Sequence, residues 1–228
     1  EQIRTTITYN DSNVKIAGAH TGVSVGPDGA THQAIEDIAT MRVLANMKVF
    51  VPCDAMEAKK ATVAAAKIWG PIYLRFTREK TPIMTTKETH FSPGVAEIFW
   101  QGKKPEVLII GCGPILHNAL LAAKELEEEG IGSVVLNCHT IKPLDEKQII
   151  ELAKKYKAIV TVEEHQVAGG LGGAVAECLA KNCPAPIEFI GMQDVYGESG
   201  KPTELIEKYG MGVDDIKKAI KKVLKRKK

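Results

Sequence analysis

No uninterrupted apolar stretch of about 18 residues occurs in the chain, and its start carries no charged-then-apolar signal. Neither a membrane span nor a secretory leader is expected, which predicts a cytoplasmic protein with no membrane partner. Cysteine is scarce and badly placed for chemistry: Cys53, Cys112, Cys138, Cys178 and Cys183 are odd in number, widely spaced and form no Cys-x-x-Cys pair. That argues against a disulfide framework and a metal site, and it fits a reducing compartment. Excess charge of one sign is also missing. The net charge is +2 at pH 7, so no global field points to nucleic acid or anionic lipid. The single basic concentration, eight residues from Lys217 to Lys228, is interleaved with Ile216, Ile220, Val223 and Leu224 at helical spacing. This predicts an amphipathic helix with a solvated cationic face rather than a nucleic-acid surface.

What is present is an ordinary globular composition, 44% hydrophobic over 228 residues, enough for one large core or two smaller ones. Short apolar runs alternate with helical patterns, as in parallel-sheet α/β proteins. Strands are expected at 14–17, 49–51, 71–76, 107–110, 133–136, 158–162 and 187–190. Thr31 is read as the cap of a helix carrying Ile35, Ile38, Ala39 and Met41, and Asp54 with Glu57 as a capping box for a helix reaching Lys67. Further helices are expected at 116–128, 146–155, 170–181, 202–208 and 213–227. The pattern weakens between 79 and 104, where Pro82, Pro93 and a polar stretch mark a linker. The predicted fold class is therefore α/β, with two open, mostly parallel sheets flanked by helices. Residues 1–80 would form an incomplete first domain, 81–104 the linker and 105–228 the second domain.

Polar chemistry concentrates in GAHTGVSVGPDGATHQAIED, residues 18–37. It sets two imidazoles, His20 and His32, and the carboxylate of Asp28 on one glycine-loosened loop that can approach a small polar ligand closely. His20 follows a strand at its carboxyl end, where open α/β sheets place ligands, although a structural histidine fits equally. Asp28 also suits a plain turn within Gly26-Pro27-Asp28-Gly29. His32 is expected in the first turn of a helix, whose dipole would keep its ring neutral. Arg78 likewise follows a strand, placing a guanidinium suited to phosphate at a carboxyl edge, with an ion pair to Glu79 or another carboxylate as its rival role. Arg75 reads as structural. The cluster Gly169-Gly170-Leu171-Gly172-Gly173 lacks the Gly-x-Gly-x-x-Gly pattern, as does Gly111-Cys112-Gly113, so close helix packing or subunit contact is expected there, with His165 facing a partner.

The stretch GAHTGVSVGPDGATHQAIEDIATMRVLANMKVFVPCDAMEA resembles the substrate-binding segment of transketolase, YLRFTRE its phosphate-arginine region, and VEEHQVAGGLGGAVAE and YGESGKPTELIEKYG its C-terminal domain. The resemblance covers nearly the whole chain. It implies that residues 1–80 are the latter part of a pyrimidine-binding domain and that 105–228 are the C-terminal domain. By the same resemblance His20 and Arg78 hold a substrate phosphate, Asp28 binds donor hydroxyls, and His32 is a catalytic histidine moving protons near the reacting carbonyl. Pro27 departs from the family's Gly-Glu-Asp-Gly form and stiffens the approach to Asp28.

The implied activity is transfer of a two-carbon ketol unit between sugar phosphates in pentose phosphate metabolism. The implied cofactors are thiamine diphosphate and magnesium, whose binding residues are expected upstream of Glu1 and in another domain. This chain alone is thus expected to bind no metal or cofactor and to be inactive. Its partners would be sugar phosphates, an N-terminal transketolase section or subunit, and a second copy in a homodimer. Alternatives are part of a deoxyxylulose-phosphate synthase, which shares Asp-Gly-x-Thr-His, the beta chain of the pyruvate dehydrogenase class, and a non-catalytic dimerisation module.

Overall fold

The computed structural model describes residues 1–227, which form two open, mostly parallel sheets flanked by helices. The first contains β1 (Lys15–Gly18), β2 (Lys48–Phe50) and β3 (Ile72–Arg75), with β3 between the other two and parallel to both. The second contains β4 (Glu97–Gln101), β5 (Pro105–Gly111) and β6 (Gly132–Asn137), followed along the chain by β8 (Ile159–Gln166) and β9 (Ile187–Met192). Its spatial order is β4-β6-β5-β8-β9, and only β4 runs antiparallel. Val107 to Ile110 and Val134 to Leu136 are fully buried, as strands covered by helices on both faces must be. Among the described residues no helix is long and apolar enough to cross a membrane.

Two strands escaped the sequence pattern. β7 (Thr140–Lys142) leaves the second half of the chain and pairs antiparallel with β2, completing the first sheet. It is three residues long and gives no periodicity to read. β4 lies inside the stretch read as a linker, because an edge strand with half-exposed residues lacks a clean alternation. That stretch is also anchored upstream. Asp54 caps α2 (Ala55–Lys67) through the Glu57 amide at 2.8 Å and accepts three more hydrogen bonds, from the Met84 and Thr85 amides and the Thr85 hydroxyl.

The two halves share their apolar interior. Val23, Ile35 and Cys53 lie in one cluster with Val107, Leu116 and Ile220, while Ile38, Met47, Val49 and Tyr73 lie in another with Leu108, Leu136 and Leu171. All five cysteines are unpaired. The remaining helices are α1 (Asp37–Arg42), α3 (Leu116–Glu128), α4 (Glu146–Tyr156), α5 (Leu171–Asn182), α6 (Pro202–Lys208) and α7 (Val213–Arg226). The cationic face of α7 is not simply solvated. Lys217 bridges Glu125 and Glu129, Lys221 reaches Glu129, and Lys222 and Arg226 both reach Glu188.

His139, just before β7, is fully buried, tilts against the Phe91 ring at 4.2 Å and pairs through Nδ1 with the Thr140 hydroxyl at 2.9 Å. Its Nε2 has no partner among the described residues. Burial pushes its pKa down to about 4. The unfolded chain takes up this proton near pH 6.5, so the stability held by neutral His139 is complete above that pH and is lost as pH falls towards 4. In His139→Phe, which keeps the ring contact, this loss vanishes. Relative to the parent, the variant's stability should improve by about 1–2 kcal/mol between pH 7 and pH 5. Urea unfolding at both pH values measures it, and an unchanged difference would mean that His139 takes up its proton as readily in the fold as in the unfolded chain.

Candidate substrate site

The loops leaving the carboxyl ends of β1 and β3 are tied together by Thr21, whose amide and hydroxyl both donate to the Phe76 carbonyl at 3.3 and 3.1 Å. The β1 loop then winds through two short 3-10 turns, Val23–Asp28 and Ala30–His32, separated by Gly29 at φ +77°. Arg78, on the β3 loop, reaches across to this loop. Its Nη1 lies 2.5 Å from Asp28 Oδ2 and 3.4 Å from the Val25 carbonyl, and both ionic side chains keep at least a third of their surface exposed. Arg78 therefore has the carboxylate partner that its rival role called for, but the partner is the other charged residue of the candidate site; Glu79 stands off at 3.9 Å.

His20 is exposed and held at φ +59°, a left-handed conformation that few non-glycine residues adopt. His32 is also exposed, with Nδ1 at 3.0 Å from the Thr31 hydroxyl. The expected helix beginning at Thr31 does not form. His32 closes a three-residue 3-10 turn and α1 starts at Asp37, so the dipole argument for His32 does not apply. The glycines and Gln33 divert the chain: Gln33 is buried, and its Nε2 donates to the Val23 and Glu198 carbonyls, holding the backbone extended where a helix would have continued.

Beneath the loop lies a buried polar network that the sequence reading missed, apart from assigning Arg75 a structural part. Arg75 Nε and Nη2 meet the two oxygens of Asp37 at 2.8 and 3.1 Å, and Nη2 also donates to the Ala34 and Glu164 carbonyls. Tyr73 donates its hydroxyl to Asp37 at 2.8 Å. Burial alone would raise the Asp37 carboxyl, but Arg75, with His165 and Tyr73, holds it below its usual range. The signal was present in the alternation of β3, which puts Tyr73 and Arg75 on one face.

His165 does not face a partner. It is buried, its Nδ1 hydrogen donates to the Gln166 carbonyl at 2.6 Å, its Nε2 accepts from the Ala39 amide, and burial lowers its pKa to about 4. Of the neighbouring glycines, Gly170 and Gly172 are likewise buried inside the chain, while Gly169 and Gly173 stay partly exposed. Glu163 accepts the Leu171 and Gly172 amides at the start of α5, and a Cβ at Gly170 would stand 2.0 Å from its carboxylate. Burial pushes Glu163 up to about 8, although those two amides and the guanidinium groups of Arg75 and Arg42 act in the opposite direction. Beside the network a cavity of about 290 Å³ is lined by Ser24, Thr77, Glu79, Asn118, Glu164 and Pro202.

Two family models match the chain, the transketolase pyrimidine binding domain over residues 1–84 and the transketolase C-terminal domain over residues 96–216. A protein from Methanocaldococcus jannaschii named as a transketolase C-terminal section is 41% identical over 99% of this chain and 71% of its own length. The 6-deoxy-6-sulfo-D-fructose transketolase subunit of a Clostridium species is 37% identical over the whole chain and 70% of its own length. A solved split gene transketolase, described as an inactive beta4 tetramer, superposes with a TM-score of 0.92 at 44% identity, over all of this chain and 72% of that one.

Proposed function

The chain belongs to the transketolase family and corresponds to its C-terminal section; on that premise we propose that it supplies the substrate contacts for moving a two-carbon ketol unit between sugar phosphates. The observation that carries this reading is the meeting of Arg78 with Asp28 on two loops at the same sheet edge. Arg78, with His20 beside the same loop, takes the substrate phosphate. An arriving dianion competes with Asp28 for the guanidinium, and the exposed pair yields readily, since such pairs contribute only about 0–1 kcal/mol. Asp28 is then free to accept donor hydroxyls. His32, on the same loop, exchanges protons with the oxygen of the reacting carbonyl. The exposed left-handed turn at His20 sets its ring outside the core, where a ligand can reach it.

Transketolases work with thiamine diphosphate, which supplies the carbanion chemistry, and magnesium. Among the described residues no group of three His, Cys, Asp or Glu side chains gathers as ligands for a metal ion. The cofactor is assigned to a complementary N-terminal section. Titration calorimetry of the 228-residue chain with thiamine diphosphate and magnesium should show no binding tighter than the millimolar range, and activity should appear only when the complementary section is added. Micromolar binding by this chain alone would overturn the division of labour. Self-association is also proposed; His165, Gly170 and Gly172 are buried within the chain, while Gly169 and Gly173 stay partly exposed beside them.

A further inference from the structure

The loop that carries Asp28 and His32 rests on the second half of the chain along its whole length. Glu164, 4% exposed, aims Oε1 at the Ser24 amide at 2.6 Å. Gln33 Nε2 donates to the Glu198 carbonyl at 2.9 Å. A Cβ on Gly29 would stand 2.6 Å from the Ser199 hydroxyl, and one on Gly26 would stand 3.1 Å from the Gly200 carbonyl. Gly22, at φ +83°, completes the fit: any Cβ there would fall 2.2 Å from Glu164 Oε1.

A buried carboxylate is an expensive way to hold one backbone amide. Packing alone would be served as well by an apolar side chain of the same volume, whereas a carboxyl oxygen fixes the amide in direction and distance. The amide it fixes lies four residues before Asp28. Strand alternation separates this role from its neighbours, since Glu163 and His165 both crowd Gly170 while Glu164 points to the opposite face.

We infer that Glu164 is a positioning residue for the donor-binding loop, so that the second half of the chain acts as the seat that sets where Asp28 and His32 stand. The inference rests on the substrate-site reading above, because the loop's geometry matters to catalysis only if Asp28 and His32 touch substrate.

The test compares Glu164→Ala with Glu164→Gln, whose amide oxygen can still accept from Ser24. The backbone anchor survives both changes, since Arg75 bonds the Glu164 carbonyl rather than its side chain. In the full chain, amide hydrogen exchange over residues 23–33 should speed up by about tenfold in Glu164→Ala, the scale of leaving one buried donor without its acceptor, with β8 unchanged. In the enzyme assembled with its complementary section, KM for a ketose phosphate donor should rise by about tenfold and kcat should fall with it, because the loop carries His32 as well as Asp28. Glu164→Gln should restore both readouts.

Faster exchange with unchanged KM would overturn the positioning role, and unchanged exchange would overturn the contact itself. If Glu164→Ala fails to fold, Gln33→Leu loosens the seat from its other end and should show the same exchange and KM signature; its absence is equally decisive. Failure of the substrate reading looks different. There, Arg78→Ala leaves the dependence on substrate phosphate intact while the exchange result still stands.

Discussion

Asp37→Ala is expected to cost about 3–5 kcal/mol of stability, the range for removing one member of a buried ion pair. The loss does not come from the Coulomb attraction alone. Without Asp37, the Arg75 guanidinium stays charged in the interior with only two carbonyl acceptors left, and the Tyr73 hydroxyl loses its partner. Domains have only about 5–15 kcal/mol in hand, so this substitution takes a large share. The double change Asp37→Ala with Arg75→Met removes both charges together and should recover part of the loss, giving a clear coupling in a double-mutant cycle. Denaturant unfolding measures all three variants. A loss below about 1 kcal/mol for Asp37→Ala would mean that water reaches the pair freely. Asp37 also sets a pH limit. Because its folded pKa is lowered, its contribution is present above the unfolded carboxyl range and disappears as pH falls below it.

In the assembled enzyme, Arg78→Ala should raise KM for phosphorylated donors about tenfold to a hundredfold, the consequence of losing charge-assisted hydrogen bonds worth about 1.5–3 kcal/mol. A matched donor without phosphate should be affected much less. Asp28→Ala should respond to a different property, penalising donors according to hydroxyl configuration while leaving discrimination by phosphate intact. Steady-state kinetics on matched donors separates the two. Equal loss on both donors for Arg78→Ala would return Arg78 to a structural part, holding Asp28 and the Val25 carbonyl across the two loops.

The sequence made most of the second sheet and its helices legible because β5 and β6 carry unbroken apolar runs, Val107 to Ile110 and Val134 to Leu136, and α7 keeps strict helical spacing. β4 and β7 were hidden for the opposite reason: a half-exposed edge and a three-residue strand carry no period. The segment after Thr31 misled because its apolar spacing is genuine. Ile35 and Ile38 are buried as expected, yet Gln33 bonds across to Glu198 and delays the helix to Asp37. Tertiary contacts overrode local propensity there.

At the candidate site, the sequence isolated His20, Asp28, His32 and Arg78, and the structure brings Arg78 and Asp28 into contact. What it could not show was the second layer. Asp37 fell inside the helix expected from Thr31, Glu164 drew no role and His165 read as facing a partner, because the partners that bury them lie on distant segments. The glycine-rich stretch before α5 was legible as a place of close approach but not as to what approaches, which is the Glu163 carboxylate.

The crossing of β7 into the first sheet has a consequence for the order in which the molecule is made. As the chain leaves the ribosome, β1, β2 and β3 can come together early, but β2 keeps an open edge until Thr140 to Lys142 emerge, after β5, α3 and β6. The first sheet is thus finished by a contact of high sequence separation, the kind that slows folding and leaves an edge exposed meanwhile. Expressing the two halves apart, with a break at residue 104, would make that delay permanent. Each product would carry an unmet pairing, β2 without β7 in one and β7 without β2 in the other.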